Sequence, residues 1–376
     1  MYQALYRKWR PMSFDDVVSQ PHITTTLKNQ IKSGKTAHAY LFTGSRGTGK
    51  TTCARIFAKA INCLDPHDGE PCLECEICKD ADNGTLSDII EIDAASNSKV
   101  DDIRELREGV VYTPERCKYK VYIIDEVHML SAGAFNALLK TMEEPPPHVK
   151  FILATTEIHK VPATIVSRCQ HFDFHRIRNE DIVSRLMYIA SQEGFTLHED
   201  AAGMIARLSD GGMRDALSLL DQCVAYENDI TLDVVSSASG IAGRDYLFDI
   251  LEKIAEKDAA GALRVVDKLY DMSKDLKVLA GELLAQMRNV MIIKTIDNNK
   301  DLITCLPDEY ERLKALAERM KLDEILGDIN TLQECSERFA KSTSKRIELE
   351  MCIIKLCGAA QKAGATVQAV SGNAEI

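Results

Sequence analysis

The stretch Leu41-Phe42-Thr43-Gly44-Ser45-Arg46-Gly47-Thr48-Gly49-Lys50-Thr51-Thr52 decides the fold. It begins as a short apolar strand, turns through three glycines and runs into the amphipathic segment Cys53 to Asn62, so its context is strand, loop, helix. Gly44, Gly47 and Gly49 permit backbone conformations closed to other residues, which lets successive N–H groups turn inward toward a phosphate chain at a helix N-terminus. Ser45, Arg46, Thr48 and Thr52 belong to the same candidate binding loop. Lys50 supplies a point charge for the terminal phosphates and the Thr51 hydroxyl a ligand for magnesium. Glycine-rich turns also occur as plain tight turns; the flanking strand and helix select the nucleotide reading.

A second stretch supports the first. Lys120-Val121-Tyr122-Ile123-Ile124-Asp125-Glu126-Val127-His128 is a run of β-formers ending in two acids. Such a run predicts a covered parallel strand with carboxylates at its C-terminal edge, where ligands of doubly wound sheets bind. Asp125 is the candidate for the magnesium shell, and Glu126 for orienting and deprotonating an attacking water. Plain strand-end solvation is the alternative, and the phosphate loop upstream argues against it. A helix over 131–144 follows, stopped by Pro145-Pro146-Pro147. The strand 150–154 then delivers Thr155 and Thr156 to the same edge, where a hydroxyl can meet the γ-phosphate or the lytic water. Arg168 ends a short helical segment ahead of the strand 169–174, placed to reach a neighbour's γ-phosphate.

With 376 residues, 45% of them hydrophobic and 27% charged, the chain is long enough for two or three domains. No apolar run reaches the length of a membrane span, and the N-terminus lacks a signal peptide's apolar centre, so a cytoplasmic chain without a membrane partner is expected. The net charge of −11 is uneven: residues 1–60 carry ten basic side chains against two acidic ones, which leaves −19 on the remainder. A basic first block suits phosphate of either kind, nucleotide or nucleic-acid backbone.

Within that block, Tyr6-Arg7-Lys8-Trp9-Arg10-Pro11 mixes cations with aromatic rings and holds the single tryptophan. Arg7 and Arg10 are candidate adenine contacts; a nucleic-acid contact and a simple anchor for the N-terminus stay open. Residues 15–32 suggest a helix leading to the first strand. Twelve cysteines in so long a chain do not suggest a disulfide scaffold. Four of them, Cys63, Cys72, Cys75 and Cys78, sit in a segment rich in loop formers, with two residues between each of the later pairs. That spacing lets thiolates converge on one centre and predicts a closed structural zinc site ordering an insertion at 63–80. A redox pair and unligated thiols are the competing ideas. A strand at 88–93 follows, then a helix capped by Ser96 or Asn97, with Lys99, Arg104 and Arg107 as a candidate phosphate group.

Together the aromatic and basic N-terminal segment, the glycine loop, the four-cysteine insertion, Asp125-Glu126-Val127-His128, Asn136-Ala137-Leu138-Leu139-Lys140 and Ser167-Arg168-Cys169 resemble the bacterial DNA polymerase III gamma/tau family. The likeness covers residues 1 to about 360. It implies an α/β AAA+ P-loop ATPase with a parallel sheet, a small helical lid and an all-α collar. By resemblance, Gly44 to Thr51 is the Walker A loop, Asp125 and Glu126 are the Walker B acids, Thr155 is sensor 1, Arg168 is a finger acting in trans, and Arg214 is sensor 2. ATP, Mg2+ and structural Zn2+ are the implied cofactors. The implied partners are a sliding clamp, companion subunits of delta and delta-prime type, further copies of the chain and primer-template DNA. Longer members of the tau type also bind polymerase and helicase. Where relatives often carry an arginine in the loop before the second conserved helix, this chain has Asn97, which weakens the implied DNA contact there.

Past residue 178 the strands stop. Helical segments at 181–192, 199–208 and 213–226 predict the lid, and the small residues of 236–243 a boundary. The expected organisation is therefore 1–178 for the nucleotide domain, 179–240 for the lid, 241–362 for the helical collar and 363–376 for the start of a linker. Two other readings are weaker. Asp125-Glu126-Val127-His128 also spells a helicase box, but the helical C-terminal part cannot supply a second nucleotide lobe. A scaffold binding ATP as a passive ligand would not need both Glu126 and Arg168.

Overall fold

The computed structural model describes residues 3–98, 100–240, 245–297, 299, 302, 303, 305, 307–339 and 342–358. Lys99, residues 241–243 of the expected boundary and the expected linker at 363–376 lie outside them. The chain divides into two compact units, 1–239 and 240–376.

The first unit is built on five parallel strands: β1 (Ala39–Gly44), β2 (Ile89–Asp93), β3 (Lys120–Asp125), β4 (Val149–Thr155) and β5 (Gln170–Phe174), in the order β2-β3-β4-β1-β5. The inner strands are almost continuously apolar because helices cover both sheet faces. Alternation divides their side chains. Ala39, Leu41, Tyr122, Ile124, Phe151 and Leu153 enter one core, under α5 (Val100–Val110) and α6 (Ala132–Glu143). Tyr40, Phe42, Val121, Ile123, Ile152 and Ala154 enter the other, under α2 (Pro21–Ser33) and α3 (Lys50–Asn62). Because all strands are parallel, Gly44, Asp93, Asp125 and Thr155 finish at one sheet edge, with Asp93 paired in register with Asp125 and Thr43 with Thr155.

Several boundaries differ from the sequence reading. The first long helix starts at Pro21, not near Asp15, since proline at the first helical position has no N–H to continue a helix backward. Ahead of it is the one-turn helix α1 (Leu5–Lys8), and Gln20 ties the helix start to the end of the sheet, donating to the His175 carbonyl at 2.7 Å and accepting from its N–H at 3.2 Å. Asp88 stands outside β2, where its buried carboxylate accepts from the N–H groups of Glu115, Arg116 and Cys117 at 2.8 to 2.9 Å. Burial would raise its pKa, but these three donors outweigh it and hold the group below the ordinary carboxylate value.

Helix α4 (Glu76–Asn83) closes the cysteine segment, with Cys75 as its N-cap and Cys78 in its first turn, and α7 (Ala163–Val166) precedes β5. The lid contains α8 (Asn179–Glu193), α9 (Glu199–Leu208), α10 (Met213–Tyr226) and α11 (Leu232–Ala238), joined by the two-residue parallel pair β6 (Thr196–Leu197) and β7 (Asp229–Ile230). Both the pair and α11 escape a reading by periodicity: two residues show no alternation, and α11 is short and rich in serine. Ser236 is buried in α11, so this part of the expected flexible boundary is ordered helix.

The second unit consists of α12 (Asp245–Ala255), α13 (Ala259–Asp271), α14 (Leu276–Thr295), α15 (Pro307–Arg319), α16 (Leu322–Arg338) and α17 (Lys345–Leu356) around one apolar core. No helix among the described residues is long and apolar enough to cross a membrane.

Candidate active site

The loop after β1 is shaped by close approaches that only glycine allows. At Gly44, φ is +129° and a Cβ would lie 2.2 Å from the Phe174 carbonyl oxygen. At Gly47, φ is +77° and a Cβ would meet the Gly212 backbone at 2.9 Å. The lid is bonded directly to this loop, for the Met213 N–H at the start of α10 donates to the Gly47 carbonyl at 3.0 Å. Lys50, 6% exposed, donates through Nζ to the carbonyls of Gly44 (2.9 Å) and Ser45 (2.7 Å). Burial pushes its pKa below the ordinary value while Glu126 and Asp125 pull it back up.

The end of β3 meets the helix that carries this lysine. The Thr51 hydroxyl donates to Asp125 Oδ2 at 2.7 Å, so the two expected magnesium ligands share one position and offer the hard oxygens that ion takes. Asp125 Oδ1 accepts from the Glu126 N–H at 2.9 Å, and Glu126 itself sits at a left-handed φ of 47°, which turns it out of the strand.

Glu126 is then held by Thr156. Its Oε2 accepts from the Thr156 hydroxyl at 2.9 Å and from the Thr156 N–H at 3.3 Å. Thr155, the expected sensor, is fully buried, on the sheet face that Leu153 shares. Its hydroxyl lies 3.0 Å from His128 Nδ1 and accepts from the Glu157 N–H at 3.0 Å. His128 also lies 3.3 Å from Glu126 Oε2 and 3.2 Å from Glu157 Oε2. Hydrogen bonding to Lys160 holds the Glu157 carboxyl below its ordinary value.

Loop, sheet edge and lid enclose a cavity of 350 Å³. Pro11, Val17, Val18, Ile177 and Leu217 give it an apolar wall. Thr48, Thr52, Lys50, Thr51, Asp125 and Glu126 line its polar end, and Arg10, Arg46, Arg185 and Arg214 add cations. Burial lowers the pKa of Arg10, the neighbouring charge of Arg55 being the next cause. Arg214 rests on the Tyr6 ring at 5.2 Å, and Asp215 faces Arg46 rather than Arg214. Trp9 is both anchor and wall, donating to Glu193 at 2.7 Å while bordering the cavity.

Two expectations are corrected by this geometry, those for Arg7 and for the cap at Ser96 or Asn97. Arg7 does not border the cavity; its Nε donates to the Tyr6 hydroxyl and it lines an adjoining hollow instead. Arg168, expected to serve a neighbour's site and not its own, stands apart from the cavity, its guanidinium bonded to the Thr164 carbonyl and to Glu143, each at 2.8 Å. Ser96 and Asn97 form a turn on Asp93 ahead of α5 instead of capping it, and Arg104 pairs with Asp101. Asp93 and Arg185 received no role from sequence. For Asp93 a signal existed, since a second strand ends in an acid at the same edge.

Cys63, Cys72, Cys75 and Cys78 do converge, with their sulfurs all within 4.8 Å of one another and Cys72 and Cys78 3.9 Å apart. Tetrahedral zinc with Zn–S bonds of about 2.3 Å has S···S edges of about 3.8 Å, so the spacing fits the ion. Backbone N–H groups already point at the sulfurs, from Cys72 to Cys63, Cys75 to Cys72 and Cys78 to Cys75, at 3.3 to 3.4 Å. Against burial, which raises it, such donors help bring the Cys75 thiol down to about 7.

Comparison with known proteins agrees along the chain. Residues 19–178 match the family model described as DNA polymerase III, delta subunit; residues 181–229 match the ATPase lid domain of the DNA polymerase III clamp loader subunit; residues 230–368 match domain III of DNA polymerase III subunits gamma and tau. DNA polymerase III subunit tau of Bacillus subtilis (strain 168) is 44% identical over 370 residues, covering 98% of this chain and 66% of that protein. The tau/gamma subunit of Haemophilus influenzae is 39% identical over 355 residues, covering 94% of this chain and 51% of that protein. The gamma subunit of Buchnera aphidicola subsp. Schizaphis graminum is 40% identical over 318 residues, covering 84% and 87%. The chain thus spans between half and two thirds of the first two relatives and most of the third. With a parallel sheet ending in the phosphate loop and paired acids, and with a lid bonded to that loop, it has the AAA+ ATPase architecture. The chain belongs to the DNA polymerase III gamma/tau family.

Proposed function

We propose that this chain is the ATP-hydrolysing motor of a DNA polymerase III clamp loader, which opens a sliding clamp and places it on primed DNA. The observation that carries the reading is the convergence of Lys50, the hydrogen-bonded pair Thr51–Asp125 and the Thr156-held Glu126 in one cavity closed by the lid. Its apolar wall suits a purine and its polar end a triphosphate. Arg10 is proposed at the base end, and Gly44, Ser45, Arg46, Gly47, Thr48, Gly49 and Thr52 along the phosphates.

Lys50 would leave the loop carbonyls for the terminal phosphates. Thr51 and Asp125 would hold magnesium, whose charge offsets that of the phosphate oxygens when bound. Glu126 orients water for in-line attack, kept in place by Thr156. Arg214, at the start of the lid's third helix, reports the γ-phosphate to the lid. Arg168, partly exposed beside Glu143, is proposed to complete a neighbouring copy's site. ATP binding then draws lid and neighbours together around clamp and DNA, and hydrolysis loosens that grip.

Zn2+ at the four cysteines is proposed as structural, with no coordination position left for chemistry. The proposed organisation is a nucleotide domain at 1–178 with the insertion at 63–80, a lid at 179–240 and a helical collar at 241–362 that joins subunits. Companion subunits of delta and delta-prime type, further copies, clamp and primer-template DNA are the proposed partners, at the replication fork in the cytoplasm. Calorimetric titration with ATP tests the binding step. Wild type should bind and Lys50→Ala should lose most of the affinity; equal binding by both would remove the phosphate-loop assignment.

A further inference from the structure

Inside the cysteine segment is a tight turn that docks on the segment bordering the nucleotide cavity. His67 and Glu70 exchange backbone hydrogen bonds at 3.1 and 2.8 Å, folding Asp68 and Gly69 into its tip. Gly69, at φ +82°, lies so close to α2 that a Cβ would stand 2.5 Å from the Lys28 carbonyl oxygen. Asp68 pairs with Lys32 at 3.1 Å. Glu70 makes the decisive contacts: Oε2 accepts from the Phe14 N–H at 2.8 Å, and Oε1 lies 2.6 Å from Lys28 Nζ.

From Phe14 the path to the cavity is short. Phe14 is 1% exposed and rooted in the core between α2, α3 and the sheet. Its carbonyl accepts from the Val17 N–H at 3.1 Å, and Val17 and Val18 form part of the cavity's apolar wall. At the other end, Cys63 and Cys72 bracket the turn and belong to the four-sulfur cluster. Two bonds to one ion would close the loop between them and remove most of its freedom. Without that closure, the tip's contacts must hold an open loop against its own conformational entropy.

We propose that Glu70 is a positioning residue that couples occupancy of the four-cysteine site to nucleotide affinity, by fixing Phe14 and through it the Val17–Val18 wall. The inference rests on the nucleotide and zinc readings above. Affinity falls by the fraction of molecules in which that wall is formed.

The test uses the full chain, a ribose-labelled fluorescent ADP analogue as probe, metal analysis and hydrogen exchange over 10–18. Zinc-loaded Glu70→Ala should bind the probe roughly tenfold more weakly than wild type, the size of one lost charge-assisted hydrogen bond. Stripping zinc from wild type with a chelator should give a similar loss, and stripping it from Glu70→Ala little more, since both break one path. Glu70→Gln keeps an acceptor for the Phe14 N–H and should recover most of the affinity. In Glu70→Ala, KM for ATP should rise while kcat stays within about twofold. Wild-type affinity in zinc-loaded Glu70→Ala, or an equal effect of stripping in both proteins, overturns the coupling. Should Glu70→Ala not fold, exchange in wild type decides: protection of the Phe14–Val18 amides must fall on zinc removal, and unchanged protection overturns the proposal. Failure of the nucleotide reading looks different, because zinc-loaded wild type and Lys50→Ala would then bind the probe equally poorly while the exchange result stands by itself.

Discussion

Replacing Arg168 by alanine separates a role within the chain from a role across subunits. Within the chain, its guanidinium is bonded to the Thr164 carbonyl and to Glu143, with side-chain exposures of 35% and 50% for the two charged partners. A pair this open to solvent is worth about 0 to 1 kcal/mol, so folding stability should hardly move. If the same guanidinium neutralises charge on a neighbour's γ-phosphate, its loss removes about a thousandfold in turnover or more, near 4 kcal/mol of transition-state stabilisation. The large gap between those two figures makes the outcomes distinct. The assay is phosphate release by the assembled complex with clamp and primed DNA, beside a nucleotide titration in which affinity should be retained. Mixing Arg168→Ala and Lys50→Ala chains adds a second arm. A finger acting in trans creates interfaces where an intact loop on one chain meets an intact arginine on the other, so turnover partly returns. Turnover of Arg168→Ala within about twofold of wild type, or no recovery in the mixture, would refute the assignment.

Three further outcomes follow from the geometry. Thr156→Val removes the hydroxyl that holds Glu126 and should lower kcat about five- to tenfold with ATP affinity retained, whereas Thr155→Val should affect mainly stability through His128; the reverse ranking would contradict the assignment to Thr156. Cys75→Ser should lose bound zinc on metal analysis, and full zinc content would end the four-cysteine assignment. In the second unit, burial pushes the Asp328 carboxyl up to about 6 from 3.8, helped by Glu324 and opposed by Lys257, and its Oδ2 has no hydrogen-bond partner among the described residues. The fold therefore prefers the neutral acid: no penalty exists below about pH 4, it grows between about pH 4 and 6, and above 6 it levels off at about 3 kcal/mol. Asp328→Asn should match wild type at pH 4 and exceed it at pH 8 in denaturant titrations; lower stability at pH 8 would contradict the burial argument.

The sheet and its chemistry were legible because they depend on local pattern. Apolar runs over 39–42, 121–124 and 151–154, each short and rich in β-formers, read as strands covered on both faces, and glycine at 44 and 47 marks backbone approaches that exclude a side chain. Convergence of four sulfurs followed from two-residue spacings. What escaped depends on contacts between residues far apart in the chain. Period-two alternation puts Thr155 on the same face as Leu153 and turns it into the core, but which threonine reaches Glu126 also depends on the left-handed turn at Glu126 itself. Arg7 and Arg10 stand three residues apart in one aromatic segment, and only the fold sends Arg10 to the cavity and Arg7 away from it. Glu70 stands 56 positions from the amide it holds, a pairing that no local pattern carries.

The central claim is that one triphosphate, bound beside Lys50 and attacked under the control of Glu126, works the clamp loader. Phosphate release by the wild-type chain assembled with its companion subunits, measured with and without clamp and primed DNA, tests it most directly. Turnover that rises severalfold when both are added, and that Glu126→Gln abolishes while ATP stays bound, is the result expected. No ATP consumption under any of these conditions, or equal consumption by Glu126→Gln, would contradict it.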